Sequence, residues 1–371
     1  MRLSDQQRLD WLRLIRSENV GPATFRDLIN HFGTAARALE ELPEFAIRAR
    51  HGKQIRIATQ AAAERELDAL HRFGGRIVAL GEPDYPAALR TIDAAPPLIS
   101  VIGNVAAFQR NFVAIVGSRN ASIAGIKFTH LLARGLAEAD FATVSGLARG
   151  IDTAAHKATV ETGTVAVLAG GIDQTYPPEN ADLLKQIWSG PGAAISEMPF
   201  GWSPQARDFP KRNRLIAGMS LGLAVVEASQ RSGSLISARL ANEMGRLVFA
   251  VPGSPLDPRS AGTNQLIRDG ATLITGAPDV VEAIRPLIDM PMYQEEFRLE
   301  ENDRFDPEQD EPPIEDERAT IINALGPTPT DVDDIIRLTG ISPARVQVIL
   351  LELDIAGRLE RHGRNLVSLI G

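Results

Sequence analysis

The chain has 371 residues, 44% hydrophobic and 23% charged. That is the balance of a globular protein of two or three domains, and it excludes a disordered or fibrous chain. There is no cysteine, which excludes disulfides, thiolate metal sites and a cysteine nucleophile and fits a reducing, cytoplasmic setting. No uncharged apolar run reaches the ~18 residues of a membrane span. The start, Met1 to Arg8, continues into charged helical sequence with no apolar signal region.

The net charge of -8 counts against a nucleic-acid partner only if it is spread evenly. Between Ile288 and Glu317 there are 13 acids and two bases, Arg298 and Arg304, so this segment alone carries -11 and the remainder +3. The acidity belongs to one segment, and local clustering decides the partner.

Four regions follow in chain order. Residues 1–75 predict short helices at Arg8 to Ser17, Thr24 to His31, Thr34 to Leu42 and Gln54 to Phe73. Residues 76–287 alternate helical stretches with apolar runs at 112–116, 142–144, 164–168, 193–195, 223–226 and 247–251. Runs apolar throughout are what strands covered on both faces require, and the alternation predicts an α/β, Rossmann-like, doubly wound parallel sheet. Residues 288–317, acidic and punctuated by Pro291, Pro307, Pro312 and Pro313, predict a solvated linker. Such a segment is a candidate competitor with an anionic ligand for any basic pocket. Residues 318–371 predict three helices and a hairpin, the order of a winged helix.

In an open parallel sheet, ligands bind beyond the carboxyl ends of the strands. The loops there are rich in Gly, Ser and Arg: Gly117-Ser118-Arg119-Asn120, Ser145 to Asp152 with Gly146, Arg149 and Gly150, Gly170-Gly171-Ile172-Asp173, and Arg231-Ser232-Gly233-Ser234. Glycine lets a backbone approach closely, and helix-start amides with a guanidinium suit a phosphate. Ordinary tight turns account for any one of these loops taken alone. Neither the G-x-G-x-x-G dinucleotide fingerprint nor a P-loop is present.

The densest basic cluster is Arg207-Asp208-Phe209-Pro210-Lys211-Arg212-Asn213-Arg214, with Trp202 before it. Cations that track phosphates and rings that stack bases are the materials of single-strand binding. A solvated helix start with Phe209 in the core is the alternative. Ser145, Asp152 and His156 lack a nucleophile-elbow context, and Asp152 capping a helix with His156 on its inner face explains them better. The six histidines show no metal-ligand spacing, so no metal is expected. Glu197 and Glu227 are crevice carboxylates whose default role is to pair with a nearby Arg.

The flanks carry two further motifs. Asn19 to Leu28, with its Gly21-Pro22 turn, has the form of a helix-hairpin-helix, and a purely structural turn explains it equally well. Ser342-Pro343 would open the recognition helix of the winged helix. Its base Arg345 faces Glu352 and Asp354 in composition, which counts against strong duplex binding and leaves protein contact open.

The ordered series of loops resembles the DprA (Smf) family of DNA-processing proteins. Its matching segments are Tyr85-Pro86 with Leu89, Pro97-Leu98, Val116 to Arg119, Ser145 to Asp152 with Ala155-His156, and Gly170 to Asp173 with Tyr176-Pro177. They continue with Ser196-Glu197, Phe209 to Arg214, Val226-Glu227-Ala228, Ser232-Gly233-Ser234, Ala250 to Gly253 and Asn264 to Ile267, over residues 80–275. The flanks match in kind, a sterile-alpha-motif-like helical domain before and a winged helix after. The resemblance implies a non-enzymatic protein without cofactor. It would bind and protect single-stranded DNA during DNA uptake and natural transformation, help load RecA, and dimerise through the Rossmann-like domain. It places the DNA pocket at Arg119, Lys211, Arg212 and Arg214 near Phe209 and Asn213, over a floor of Gly117, Ser118, Gly146, Arg149 and Gly150. The sheet plan is also similar to the LOG-like nucleotide phosphoribohydrolases, but their Pro-Gly-Gly-x-Gly-Thr loop is replaced here by Arg231 to Leu235.

Overall fold

The computed structural model describes residues 2–49, 54–289, 301, 313–363 and 365–370. Four helices open the chain: α1 (Asp5–Ile15), α2 (Pro22–Phe32), α3 (Ala35–Ala49) and α4 (Gln60–Arg72). All four were expected, with different ends. α1 starts earlier because Ser4 and Gln7 form a reciprocal capping box. α4 starts later because Thr59 caps it, accepting from the Ala62 amide. Trp11, Leu12, Phe25, Leu28, Leu42 and Phe45 are buried between the helices, with Trp11 edge-on to Phe25 at 5.1 Å.

The sheet has nine strands: β1 (Arg76–Ala79), β2 (Leu98–Gly103), β3 (Phe112–Val116), β4 (Ala142–Ser145), β5 (Thr164–Val167), β6 (Ala193–Ser196), β7 (Gly222–Val225), β8 (Leu247–Ala250) and β9 (Thr272–Leu273). Their order is β1-β2-β6-β5-β4-β3-β7-β8-β9. From β6 to β9 the pairing is parallel, as the apolar runs predict. β1 and β2 run antiparallel to each other, and β2 runs antiparallel to β6, so the sheet is mixed. Neither strand stands out in the sequence. β1 is four residues long, and β2 is interrupted by Ser100 after two prolines.

Successive residues of β3 feed opposite faces: Val113 and Ile115 join one core, and Phe112, Ala114 and Val116 the other. The first core lies under α5 (Ile123–Glu138), α6 (Ile151–Thr159) and α11 (Ala277–Asp289). Residues of α8 (Asp208–Met219) and α9 (Gly233–Glu243) join the second, which continues into the helical domain. From β3 the chain steps out through β4 and β5 to β6. It then returns through α8 to β7 on the other side of β3. That reversal opens a crevice at the carboxyl ends of the strands.

The tail is a winged helix of α12 (Glu315–Ala324), β10 (Thr330–Asp331), α13 (Val332–Thr339), α14 (Pro343–Ile355), β11 (Leu359–His362) and β12 (Leu366–Leu369). Apart from residues 288–289 in α11, Glu301, and residues 313–317 at and before the start of α12, the predicted linker lies outside the described residues.

α14 is apolar on two sides. Val346, Ile349, Leu350 and Leu353 fill the winged-helix core, while Val348, Leu351 and Ile355 belong to the core of the helical domain. Both stripes are covered, while Gln347 and the start of the helix stay exposed. Polar contacts border the second stripe: Asn19 Nδ2 donates to the Ile355 carbonyl at 3.0 Å, and Arg361 pairs with Asp27 and with Asp354, each at 2.7 Å. The expected recognition helix therefore packs on protein.

Candidate nucleic-acid interface

Arg119, Gly146, Ala148, Arg149, Tyr176, Pro177, Phe209 and Arg212 line one open crevice. They come from the loops after β3, β4 and β5 and from the first turn of α8. Sequence elements up to 93 residues apart thus meet at one rim. Phe209 is the hub. Tyr176 stands edge-on to it at 5.3 Å and 67°, the Arg119 guanidinium lies 5.4 Å from its ring centre, and that of Arg212 lies 5.9 Å away. A cation over an aromatic face is held by the ring quadrupole without losing its charge.

The basic cluster of α8 divides by helical face. Lys211 is exposed, and Arg207 and Arg119 are exposed with it. Arg212 is 6% exposed and points inward, donating to the Val167 carbonyl at 2.9 Å and, more closely, to that of Gly146. The glycine at 146 leaves room for this guanidinium, which a Cβ there would displace. Burial lowers the Arg212 pKa to about 10, a shift that Asp152 opposes and Arg119 reinforces. Arg212 stays charged near neutrality. Its buried partner Asp152 is raised by burial and drawn down by Arg212.

Asp152 does not cap its helix through a side-chain bond to the first turn. It folds the preceding loop back, accepting from the amides of Gly146 at 3.1 Å and Ala148 at 3.4 Å. The same loop passes close under Ser118: Gly150 has φ +74° and its Cβ position is filled by the Ser118 carbonyl. Gly117 is backed by Ile151 and the Glu227 carbonyl, so Gly117, Ser118, Gly146 and Gly150 form a packed floor.

The remaining predicted residues are placed as follows. Arg214 is half-buried, ion-paired to Glu197 and bonded to the Ala94 carbonyl. Asn213 accepts from Arg212 Nε at 3.2 Å. Arg149 is exposed and pairs with the exposed Glu179, which raises the pKa of the one and lowers that of the other. Glu197 follows the default reading, whereas Glu227 does not pair with an arginine. It takes the Ser122 hydroxyl at 2.5 Å and the Ser122 amide at 3.0 Å at the start of α5.

A hydrolytic constellation does not assemble. The Ser145 hydroxyl donates to the Ile115 carbonyl at 2.6 Å. His156 is buried, with Nδ1 2.8 Å from Thr164 Oγ1. Burial lowers its pKa to about 3, helped by the Arg212 charge and opposed by a hydrogen bond at Ser145. The hairpin is engaged on either side of its half-exposed Gly21-Pro22 turn: Asn19 holds the end of α14, and Thr24 Oγ1 donates to Asp354 at 3.3 Å.

Three crevice residues are absent from the predicted site: Ala148, Tyr176 and Pro177. Tyr176, 48% exposed, is the important omission. Its meeting with Phe209 33 residues later has no periodic signal.

The fold and rim define a class: a doubly wound sheet protein with a basic, aromatic-lined crevice at its strand ends, between a helical domain and a winged helix. Family models agree on all three parts. DNA recombination-mediator protein A matches residues 76–285, the DprA-like N-terminal HHH domain matches 5–69 and the DprA winged helix domain matches 305–363. The chain belongs to the DNA recombination-mediator protein A (DprA) family. Protein Smf of Synechocystis is 30% identical over 387 aligned positions, covering 96% of this chain and 97% of that one. The X-ray structure of DNA processing protein A from Streptococcus pneumoniae superposes with a TM-score of 0.61 at 32% identity, covering 76% of this chain and 98% of that one. A Helicobacter pylori DNA processing protein A, described for its single-stranded DNA binding mode, superposes at 0.51 with 28% identity, covering 57% and 95%.

Proposed function

We propose that the chain binds single-stranded DNA at the strand-end rim, largely independently of sequence. One observation carries the reading: exposed Arg119 lines one open crevice together with an aromatic pair, Tyr176 and Phe209, and exposed Lys211 follows Phe209 by two residues on α8. The cations neutralise phosphates and the rings offer faces on which any base can stack. Lys211 and Arg119 lead; Arg149, shared with Glu179, and the buried Arg212 contribute field more than contact. Arg214, engaged by Glu197, orders α8. A protein of the DNA-processing family with this rim would shield incoming strands during natural transformation and help load RecA onto them. In the same reading it is a cytoplasmic homodimer formed through the sheet domain and has no catalytic cycle or cofactor. Family membership supports these parts.

The test is a titration of single-stranded and duplex DNA at two salt concentrations. Single strands should bind more tightly, and added salt should weaken binding. Arg119→Ala and Lys211→Ala should each reduce the salt slope by ~0.7 for every phosphate no longer neutralised, with folding unchanged. An unaltered titration in both variants places the DNA elsewhere. Release of adenine from AMP would favour a phosphoribohydrolase instead. Against that enzyme, Ser232 in the Arg231 to Leu235 loop is used to cap α9.

A further inference from the structure

Glu301 is the one described residue of the acidic stretch between α11 and Pro313, and its carboxylate has a built seat. One oxygen, Oε1, accepts from Trp11 Nε1 at 2.8 Å and from the Ala35 amide at 2.9 Å, and Oε2 accepts from Gln7 Nε2 at 2.8 Å. Trp11 is 1% exposed and Ala35 fully buried. Two buried donors, one of them the first amide of α3, therefore have this carboxylate as their acceptor. Removing it would take from both the acceptor that they have here. The amide end of α3 also favours negative charge.

We propose that Gln7, Trp11 and the Ala35 amide form a carboxylate-binding niche on the helical domain whose resident ligand is Glu301, and that this pin keeps the winged helix docked by shortening its tether. The winged helix docks on the same domain through the Val348, Leu351 and Ile355 stripe. Unpinned, 23 residues connect α11 to Pro313; pinned, 11 connect Glu301 to it. Effective concentration falls roughly as the −3/2 power of tether length, so halving the tether favours docking about threefold. Acidic chains of other proteins are the ligand class that would compete for the niche.

The chain has no cysteine, so Glu40→Cys on α3 and Leu338→Cys on α13 give a full-length protein with two dye sites, one on each domain. Energy transfer between them reads docking. The Arg361→Ala background, which removes the pairs to Asp27 and Asp354, brings the open and closed populations within range. Tryptic cleavage after Arg298 and Arg304, on either side of Glu301, reads the pin. Glu301→Ala should speed cleavage there and lower the docking constant about threefold. Trp11→Phe, which keeps the ring and removes the donor, should do the same. Faster cleavage with unchanged energy transfer would overturn the coupling. No change in either readout, or a response to Glu301→Ala that Trp11→Phe fails to reproduce, would overturn the niche.

Discussion

The strand-end rim and the contact between the α2 hairpin and α14 are built from similar sequence materials and come out opposite. Both join a glycine-bearing turn to a helix start, and both include arginines. At the rim, Arg119 and Lys211 remain exposed, with Arg119 lying over the ring of Phe209 rather than paired to a carboxylate. At the hairpin, Arg361 is committed to Asp27 and Asp354, Arg345 to Glu317, and the outward stripe of α14 is apolar and covered. A DNA-binding motif is an offer of charge and amide groups. Whether the offer stands depends on which neighbours take it up first.

The same division runs through α8 itself, and there it can be broken most forcefully. Arg212→Ala removes a buried cation that holds two carbonyls and leaves Asp152 without its counter-charge. Leaving buried groups unsatisfied in this way costs ~1–3 kcal/mol for each, read as a lower urea midpoint. Lys211→Ala, one residue earlier and exposed, should stay within ~0.5 kcal/mol of the parent and lose DNA affinity instead. Equal stability of the two variants would erase the inward and outward distinction.

A second contrast concerns pH. His156 lies beneath the same loop, and its folded pKa of about 3 is well below the ordinary 6.5. Between those values the unfolded chain binds the proton and the folded chain does not, so stability rises with pH across that window. Acidification from pH 6.5 toward 3 should therefore remove a few kcal/mol through this group. His156→Gln should flatten the stability profile in that window, measured by urea unfolding at stepped pH. A profile as steep in the variant as in the parent would assign the acid sensitivity to the carboxylates.

How far this was legible in the sequence follows from how each signal is encoded. The parallel strands were readable because a strand covered on both faces is apolar throughout, as at Phe112 to Val116. β1 and β2 were not, since Arg76 and Ser100 break their apolar runs and antiparallel pairing leaves no mark in composition. Arg119 and Phe209 were readable as residue types in suggestive loops. The inward turn of Arg212 was hidden, because it depends on the carbonyls of Gly146 and Val167, which approach only after the sheet forms. The seat of Glu301 was equally hidden: thirteen acids share the segment, and only the fold of Trp11 against α3 singles one out.

Tyr176 gives the sharpest remaining comparison, because it was absent from the predicted site and stands opposite Phe209 in the same crevice. If the rim works by charge alone, Tyr176→Ala leaves affinity nearly unchanged and Arg119→Ala carries the whole loss. If bases stack there, Tyr176→Ala costs ~1–3 kcal/mol of single-strand binding without changing the salt slope, since every phosphate keeps its cation. The stacking outcome is expected, because Tyr176 is half exposed and Phe209 is held in place by two guanidinium groups. Measuring both variants over the same salt series separates a ring that receives a base from a cation that meets a phosphate.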